Sequence, residues 1–128
     1  MSKNQENQYL EIGNRPWGQY FVMEDEDNFK VKRLVIKSNQ RLSLQSHNRR
    51  SEHWIVVSGV GTLEVQIGEN SQDWIKEYKP NDYCYIPLGA KHRITNFGKE
   101  DLVIVEVQCG DYTGEDDIIR YEDDYGRN

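Results

Sequence analysis

Apolar and polar positions alternate with a period of two along most of this chain, the pattern of strands with one buried face. Leu63, Val65 and Ile67 alternate with Thr62, Glu64 and Gln66 across residues 61–67, and Phe29 to Lys37 alternates in the same way. In Leu102 to Gln108 the valines 103, 105 and 107 share one face, while Ile104, Glu106 and Gln108 share the other. Gln19–Met23, Arg41–His47, Trp74–Tyr78, Tyr83–Ile86 and His92–Asn96 read as further strands, and Trp54–Ser58 is a continuous run stopped by Gly59. Asp25–Asn28 reads as a turn and Gly68–Asp73 as a polar hairpin loop. No segment carries a convincing amphipathic helix. Many short strands between turn signals predict an all-β sandwich or barrel, a single domain over residues 14–128 behind a flexible arm at 1–13.

The last segment differs in character. From Gly110 onward, Glu115-Asp116-Asp117 and Glu122-Asp123-Asp124 flank Ile118-Ile119-Arg120-Tyr121. The apolar residues predict that this segment packs on the barrel as a short helical turn or an arm and carries Arg120 toward the mouth of any cavity. With 22 acidic against 16 basic residues the net charge is -6, which argues against binding nucleic acid by phosphate neutralisation. Met1 to Gly13 has neither the apolar run of a signal peptide nor that of a membrane span, so a cytoplasmic protein without a membrane partner is expected. Cys84 and Cys109 are far apart and in no paired motif, so reduced thiols are expected.

Two short stretches carry the chemistry. The first reads Gln45-x-His47-x4-Glu52-x6-Gly59, the second Pro87-x-Gly89-x2-His92-x3-Asn96. Gln45 and His47 are two apart, so on a strand both side chains leave by the same face. An amide oxygen, two imidazoles and a carboxylate converge if the strands wrap one cavity, and that donor set suits divalent zinc, iron or manganese. The two stretches match the paired motifs of the cupin superfamily, in which the position of Gln45 is usually His and that of Asn81 usually Gly. Asn is the commonest substitute for Gly at positive φ, so Asn81 is expected to make the same turn.

A narrower resemblance runs along nearly the whole chain after Gly13. Arg15-Pro16-Trp17-Gly18, Leu42-Ser43-Leu44-Gln45 with His47, Glu52-His53-Trp54, Tyr85-Ile86-Pro87-Leu88-Gly89 with His92-Arg93, Glu106-Val107-Gln108, and Gly114-Glu115-Asp116-Asp117-Ile118 with Arg120 resemble the type II mannose-6-phosphate isomerase domain. In that family the domain normally follows a mannose-1-phosphate guanylyltransferase within one bifunctional chain of GDP-mannose biosynthesis. No guanylyltransferase half is seen here, so a free-standing isomerase domain is expected. The resemblance implies a double-sheet jelly roll, a homodimer, and one divalent ion per chain on Gln45, His47, Glu52 and His92, zinc first with manganese, cobalt and iron as alternatives. Asn48-Arg49 stands where family members often carry further histidines.

The implied reaction interconverts mannose 6-phosphate and fructose 6-phosphate through an enediolate. A neutral Gln45 leaves Glu52 as the sole charged ligand, so a divalent ion retains about +1 and stays electrophilic. Arg41, Arg49, Arg50, Lys91, Arg93 and Arg120 lie beside the motifs or on the tail; of these, Arg41, Arg50, Lys91, Arg93 and Arg120 are the candidate phosphate cations, with Arg120 and Lys91 preferred. For the base, Glu106 is the candidate and Lys91 its competitor; strand alternation turns His53 away from a cavity that Glu52 faces. Two other functions fit the same motifs: a sugar-phosphate-binding cupin without turnover, and a cupin dioxygenase, which the Gln ligand and the tail motif disfavour.

Overall fold

The computed structural model of the chain describes residues 8–66 and 73–127. Eleven strands occur among them: β1 (Glu11–Arg15), β2 (Gly18–Asp25), β3 (Phe29–Ile36), β4 (Leu44–Ser46), β5 (Arg50–Ser58), β6 (Gly61–Gln66), β7 (Trp74–Tyr78), β8 (Tyr83–Ile86), β9 (Lys91–Thr95), β10 (Leu102–Gly110) and β11 (Ile119–Glu122). They form two antiparallel sheets, a six-stranded one in the order β1-β2-β3-β10-β5-β8 and a five-stranded one in the order β11-β4-β9-β6-β7. This is the all-β jelly roll of the cupins. No helix among the described residues is long and apolar enough to cross a membrane.

The alternation read from the sequence decides which side chains meet between the sheets, and their chemistry changes along the strands. On the six-stranded sheet Ile36 pairs with Leu102, and Leu34 with Ile104, which in turn pairs with Val56. Leu63, Val65 and Ile94 close this end from the other sheet, each with at most 1% of its surface exposed. Burying aliphatic side chains of this size contributes about 1.5 to 3 kcal/mol each, so this end holds the sandwich together. One step further the inward positions turn polar: Lys32 pairs with Glu106 and Glu106 with Trp54, then Lys30 with Gln108 and Gln108 with Glu52, and finally Gly110 with Arg50. All of the charged members of these rows are buried. A polar layer between two sheets is costly unless it is internally paired or serves a ligand.

Asn81 adopts φ 76° and its N–H donates to the Val56 carbonyl, which makes the turn expected of it. Gly18, in the Arg-Pro-Trp-Gly stretch, could not be replaced without a clash: at φ 151° an added Cβ would lie 2.0 Å from the Val35 carbonyl oxygen. Elsewhere the structure corrects the sequence reading. The boundary expected at residue 13 falls inside β1, whose residues 11–13 pair with Tyr20 to Val22. The strand expected over 41–47 is regular only at Leu44–Ser46, with a lone bridge from Arg41 to Thr95 ahead of it. The tail is an arm, as expected, but forms strand β11 with no helical turn: Ile119 pairs with Ser46 and Arg120 with Gln45. Ile67 and most of the expected loop, residues 67–72, lie outside the described residues. Cys84 is a buried free thiol and Cys109 a half-buried one.

Candidate metal centre

Three separate pieces of backbone bring the candidate ligands together. Gln45 on β4 sits directly across from His92 on β9, and Glu52 faces inward from β5. His47 follows β4 immediately, where its own carbonyl accepts a hydrogen bond from Gly89 of the Pro-x-Gly turn, tying the two motifs to each other (2.9 Å). His47, Glu52 and His92 offer ligand atoms that all lie within 4.8 Å of one another, and each residue is buried. The separations are 3.3 Å from His47 Nε2 to Glu52 Oε2 and 3.9 Å from His92 Nε2 to Glu52 Oε1.

Hydrogen bonds decide which ring nitrogen is available. His47 Nδ1 lies 2.7 Å from the Asp117 carbonyl oxygen and His92 Nδ1 lies 3.0 Å from that of Ala90. A carbonyl only accepts, so each Nδ1 carries the proton and each Nε2 presents a lone pair toward Glu52. Burial holds both imidazoles below the ordinary histidine range despite the neighbouring carboxylate. Burial also pushes Glu52 up, but the Arg50 guanidinium, which donates to it, prevails and holds it down at about 2. Two neutral imidazoles and an ionised carboxylate are the protonation states that a divalent ion requires.

Arg50 is the cation that faces them. Its Nε donates to Glu52 Oε2 at 2.8 Å and its Nη2 donates to His47 Nε2 at 3.3 Å, while Trp54 Nε1 donates to Glu52 Oε1 at 3.0 Å. Around this cluster opens a cavity whose wall includes Gln45, Arg50, Glu52, Trp54 and His92. Glu106 also faces the cavity, its Oε1 accepting from Gln108 Nε2 at 2.6 Å. Burial first, and then the Glu52 charge, push the Glu106 carboxyl up to about 8 against the pull of Lys32 and Arg50. Three buried polar atoms in this region, Ser43 Oγ, Arg50 Nη1 and Gln108 Oε1, have no hydrogen-bond partner among the described residues. Orphans of this kind mark a polar ligand site.

The cations chosen from the sequence divide into two groups. Arg50 and Arg120 line the cavity; Arg41, Lys91 and Arg93 do not. The reason is alternation: Lys91 and Arg93 flank His92, so when His92 faces inward they face out. There they hold the tail. Arg93 bonds the Glu122 carbonyl (2.9 Å) and carboxylate (3.3 Å), Lys91 Nζ lies 4.2 Å from the centre of the Tyr121 ring, and Arg41 forms a two-pronged pair with Asp124 (2.7 and 2.8 Å). Lys91 is thereby removed from the base position as well. Arg49 pairs with Asp111 at 3.1 Å, and His53 points outward, with its ring centre 4.9 Å from that of Tyr85, as alternation requires. The sequence reading missed Lys32, Glu115, Arg15 and Arg127, all of which line the cavity. Lys32 carried a legible signal, since it occupies an inward position of a strand whose next inward residues are Leu34 and Ile36.

The family model described as "Mannose-6-phosphate isomerase C-terminal" matches residues 2–123. The chain is 50% identical over 113 residues to the xanthan biosynthesis protein XanB of Xanthomonas campestris, a match over 88% of this chain and 23% of that protein. It is 44% identical over 113 residues to a mannose-1-phosphate guanylyltransferase of Escherichia coli, over 88% of this chain and 22% of that one. The chain thus spans less than a quarter of these relatives' length. In fold it is similar to the capsular polysaccharide assembling protein CapF of Staphylococcus aureus, with a TM-score of 0.75 at 19% identity, covering 87% of this chain and 34% of that one.

Proposed function

Because the chain belongs to the mannose-6-phosphate isomerase C-terminal family, we propose that it is a metal-dependent aldose–ketose isomerase that interconverts mannose 6-phosphate and fructose 6-phosphate. The observation that carries this reading is the pair of buried carboxylates in one cavity with opposite protonation, Glu52 held ionised among two neutral imidazoles and Glu106 raised to about 8. An isomerase of this kind needs both a fixed charge site and a carboxylate that takes and returns a proton near neutral pH.

The donor set fits a divalent ion. Gln45, His47, Glu52 and His92 would hold it, and both Nε2 lone pairs already converge on the Glu52 carboxylate. The lone pair of His47 cannot serve Arg50 and an ion at once, so loading and the Arg50–His47 contact exclude each other. A bound ion supplies positive charge beside the sugar oxygens as negative charge develops on them. The chain's residues do the rest. The open-chain sugar enters with C1 and C2 beside Glu106, whose carboxylate takes the C2 proton and returns it to C1 while the hydroxyl proton on O2 passes to O1, so that the aldehyde becomes the ketone with no net change in protons. Lys32, paired with Glu106 across the sheet, and the Gln108 amide keep the ionised form of Glu106 accessible. Arg50 holds Glu52 ionised, and its free Nη1 donates toward the ligand.

The test is turnover of mannose 6-phosphate by the full chain, assayed by coupling fructose 6-phosphate to a dehydrogenase. Activity should vanish with a chelator and return with zinc, manganese or cobalt. Binding without turnover for every metal loaded would replace the isomerase with a sugar-phosphate-binding protein, and oxygen consumption with iron would replace it with a dioxygenase.

A further inference from the structure

Three arginines from the two ends of the chain line the wall of the cavity: Arg15 at the end of β1, Arg120 on β11 and Arg127 beyond it. The register fixes Arg120. Its Cα is paired with that of Gln45, and residues directly opposite across a strand pair project to the same face, so Arg120 points into the cavity beside a candidate metal ligand. Arg127 is oriented by a two-pronged pair with Asp123 (2.7 and 2.9 Å). The Arg15 guanidinium lies 4.8 Å from the centre of the Tyr20 ring and donates to the Tyr20 hydroxyl at 3.2 Å and to the Asn14 carbonyl at 2.9 Å.

Arg120 differs from the other two. Its Nε is shielded from solvent without a hydrogen-bond partner, and no ion pair reaches it among the described residues. Burial first, and then the charges of Arg127 and Arg15 against that of Asp123, pull it below the ordinary arginine range. Guanidinium groups close enough to repel one another, one of them unpaired, form a costly arrangement unless an anion completes it. Of the other cations near the motifs, Arg41, Lys91 and Arg93 are already committed to the tail, and Arg50 is held on Glu52 through its Nε. What the Arg15–Arg120–Arg127 cluster lacks is a compact dianion with several acceptor oxygens, and planar guanidinium forks match a phosphate in that role.

We infer that Arg15, Arg120 and Arg127 form the seat of a phosphate monoester, anchoring the ligand by its phosphate next to Gln45 while its reacting carbons lie at Glu106. This rests on the sugar-phosphate reading above and adds the residues that select the phosphate. Two of the three arrive on the segment after Gly110, so tail docking and phosphate recognition are one event. Arg120→Gln and Arg15→Gln keep hydrogen-bonding side chains while removing the charge.

The experiment is titration calorimetry of the metal-loaded full chain with mannose 6-phosphate, with mannose and with inorganic phosphate, alongside metal analysis of each variant. Each substitution should weaken mannose 6-phosphate and inorganic phosphate by about tenfold or more, leave metal content unchanged, and be partly rescued in Arg120→Lys, which restores a point charge but not the fork. Mannose should bind weakly to all of the proteins alike. The seat is overturned if both Gln variants bind mannose 6-phosphate within about twofold of wild type. It is also overturned if they lose metal in step with phosphate affinity, or if the unaltered chain binds neither mannose 6-phosphate nor inorganic phosphate. Phosphate-dependent binding that fails in these variants, in a chain that never turns the sugar over, keeps the seat and removes the isomerase.

Discussion

Replacing Glu106 by Gln should stabilise the folded chain at alkaline pH. The folded carboxyl is raised from 4.5 to about 8, so between those values the folded chain retains a proton that the unfolded chain has released. Wild-type stability attributable to this group is therefore complete below pH 4.5, falls as the pH rises through the window, and levels off above about 8. At about 1.4 kcal/mol per pH unit, the loss amounts to roughly 3 kcal/mol at neutral pH and approaches 5 kcal/mol above pH 8. Gln mimics the protonated form, and its amide oxygen still accepts from Gln108 Nε2, so the variant escapes this loss. Urea denaturation with a chelator present, at pH 4.5 and again at pH 8, isolates the effect because the other groups titrate in both proteins. The variant should match wild type at the lower pH and exceed it by about 3 kcal/mol or more at the higher, which corresponds to roughly 10 °C in melting temperature. A variant that is less stable than wild type at pH 8 would show that Glu106 is ionised and paired with Lys32, and the assignment of a near-neutral base would fall with it.

His47→Ala combined with His92→Ala should eliminate retention of about one divalent ion per chain, measured by elemental analysis after loading and dialysis, because two of the four ligands and both Nε2 lone pairs are lost. Asp117→Ala should cost about 1 kcal/mol in chemical denaturation, since its carboxylate accepts from the N–H groups of Asn48 (3.0 Å) and Arg49 (2.9 Å). The same variant should also weaken metal binding in chelator competition, because those two side-chain bonds anchor the segment whose residue-117 carbonyl fixes the His47 ring. Proteolytic removal of residues 112–127 should follow the same course and add the loss of Arg120, weakening sugar-phosphate affinity beyond that of Asp117→Ala.

The convergence of the candidate ligands was legible because it depends on spacing and register alone. Gln45 and His47 two apart, Glu52 at the start of an apolar run and His92 after a Pro-x-Gly turn leave little freedom once the chain is a sandwich, and the turn at Asn81 follows from φ preference in the same way. The inward face of β6 was legible from alternation, as was the shared face of Glu106 and Gln108 on β10, but which face of β3 and β10 turns inward was not, because the buried set on each strand carries the charged residues. Of the proposed phosphate cations, only Arg120 was legible. Arg41, Lys91 and Arg93 were chosen for proximity in sequence to the motifs, whereas the fold selects by face and by distant partners such as Asp124, Tyr121 and Glu122. Arg15 and Arg127 reach the cavity wall that Arg120 lines, a placement that no local pattern encodes. Strand β1 was hidden for a related reason: with the polar sequence Glu-Ile-Gly-Asn-Arg it has too few apolar positions to signal burial, and it is held by pairing with β2.

The central claim is that Glu106 moves the proton between C1 and C2 of a phosphorylated hexose. Its most direct test is proton NMR of mannose 6-phosphate incubated in deuterium oxide with the metal-loaded chain and with Glu106→Gln. A single carboxyl that exchanges with solvent while it holds the transferred proton predicts deuterium at C1 of the fructose 6-phosphate formed by the native chain and, as the reaction reverses, at C2 of recovered mannose 6-phosphate. The variant should bind the sugar phosphate with comparable affinity yet incorporate none. Deuterium uptake by Glu106→Gln at the native rate would contradict the assignment.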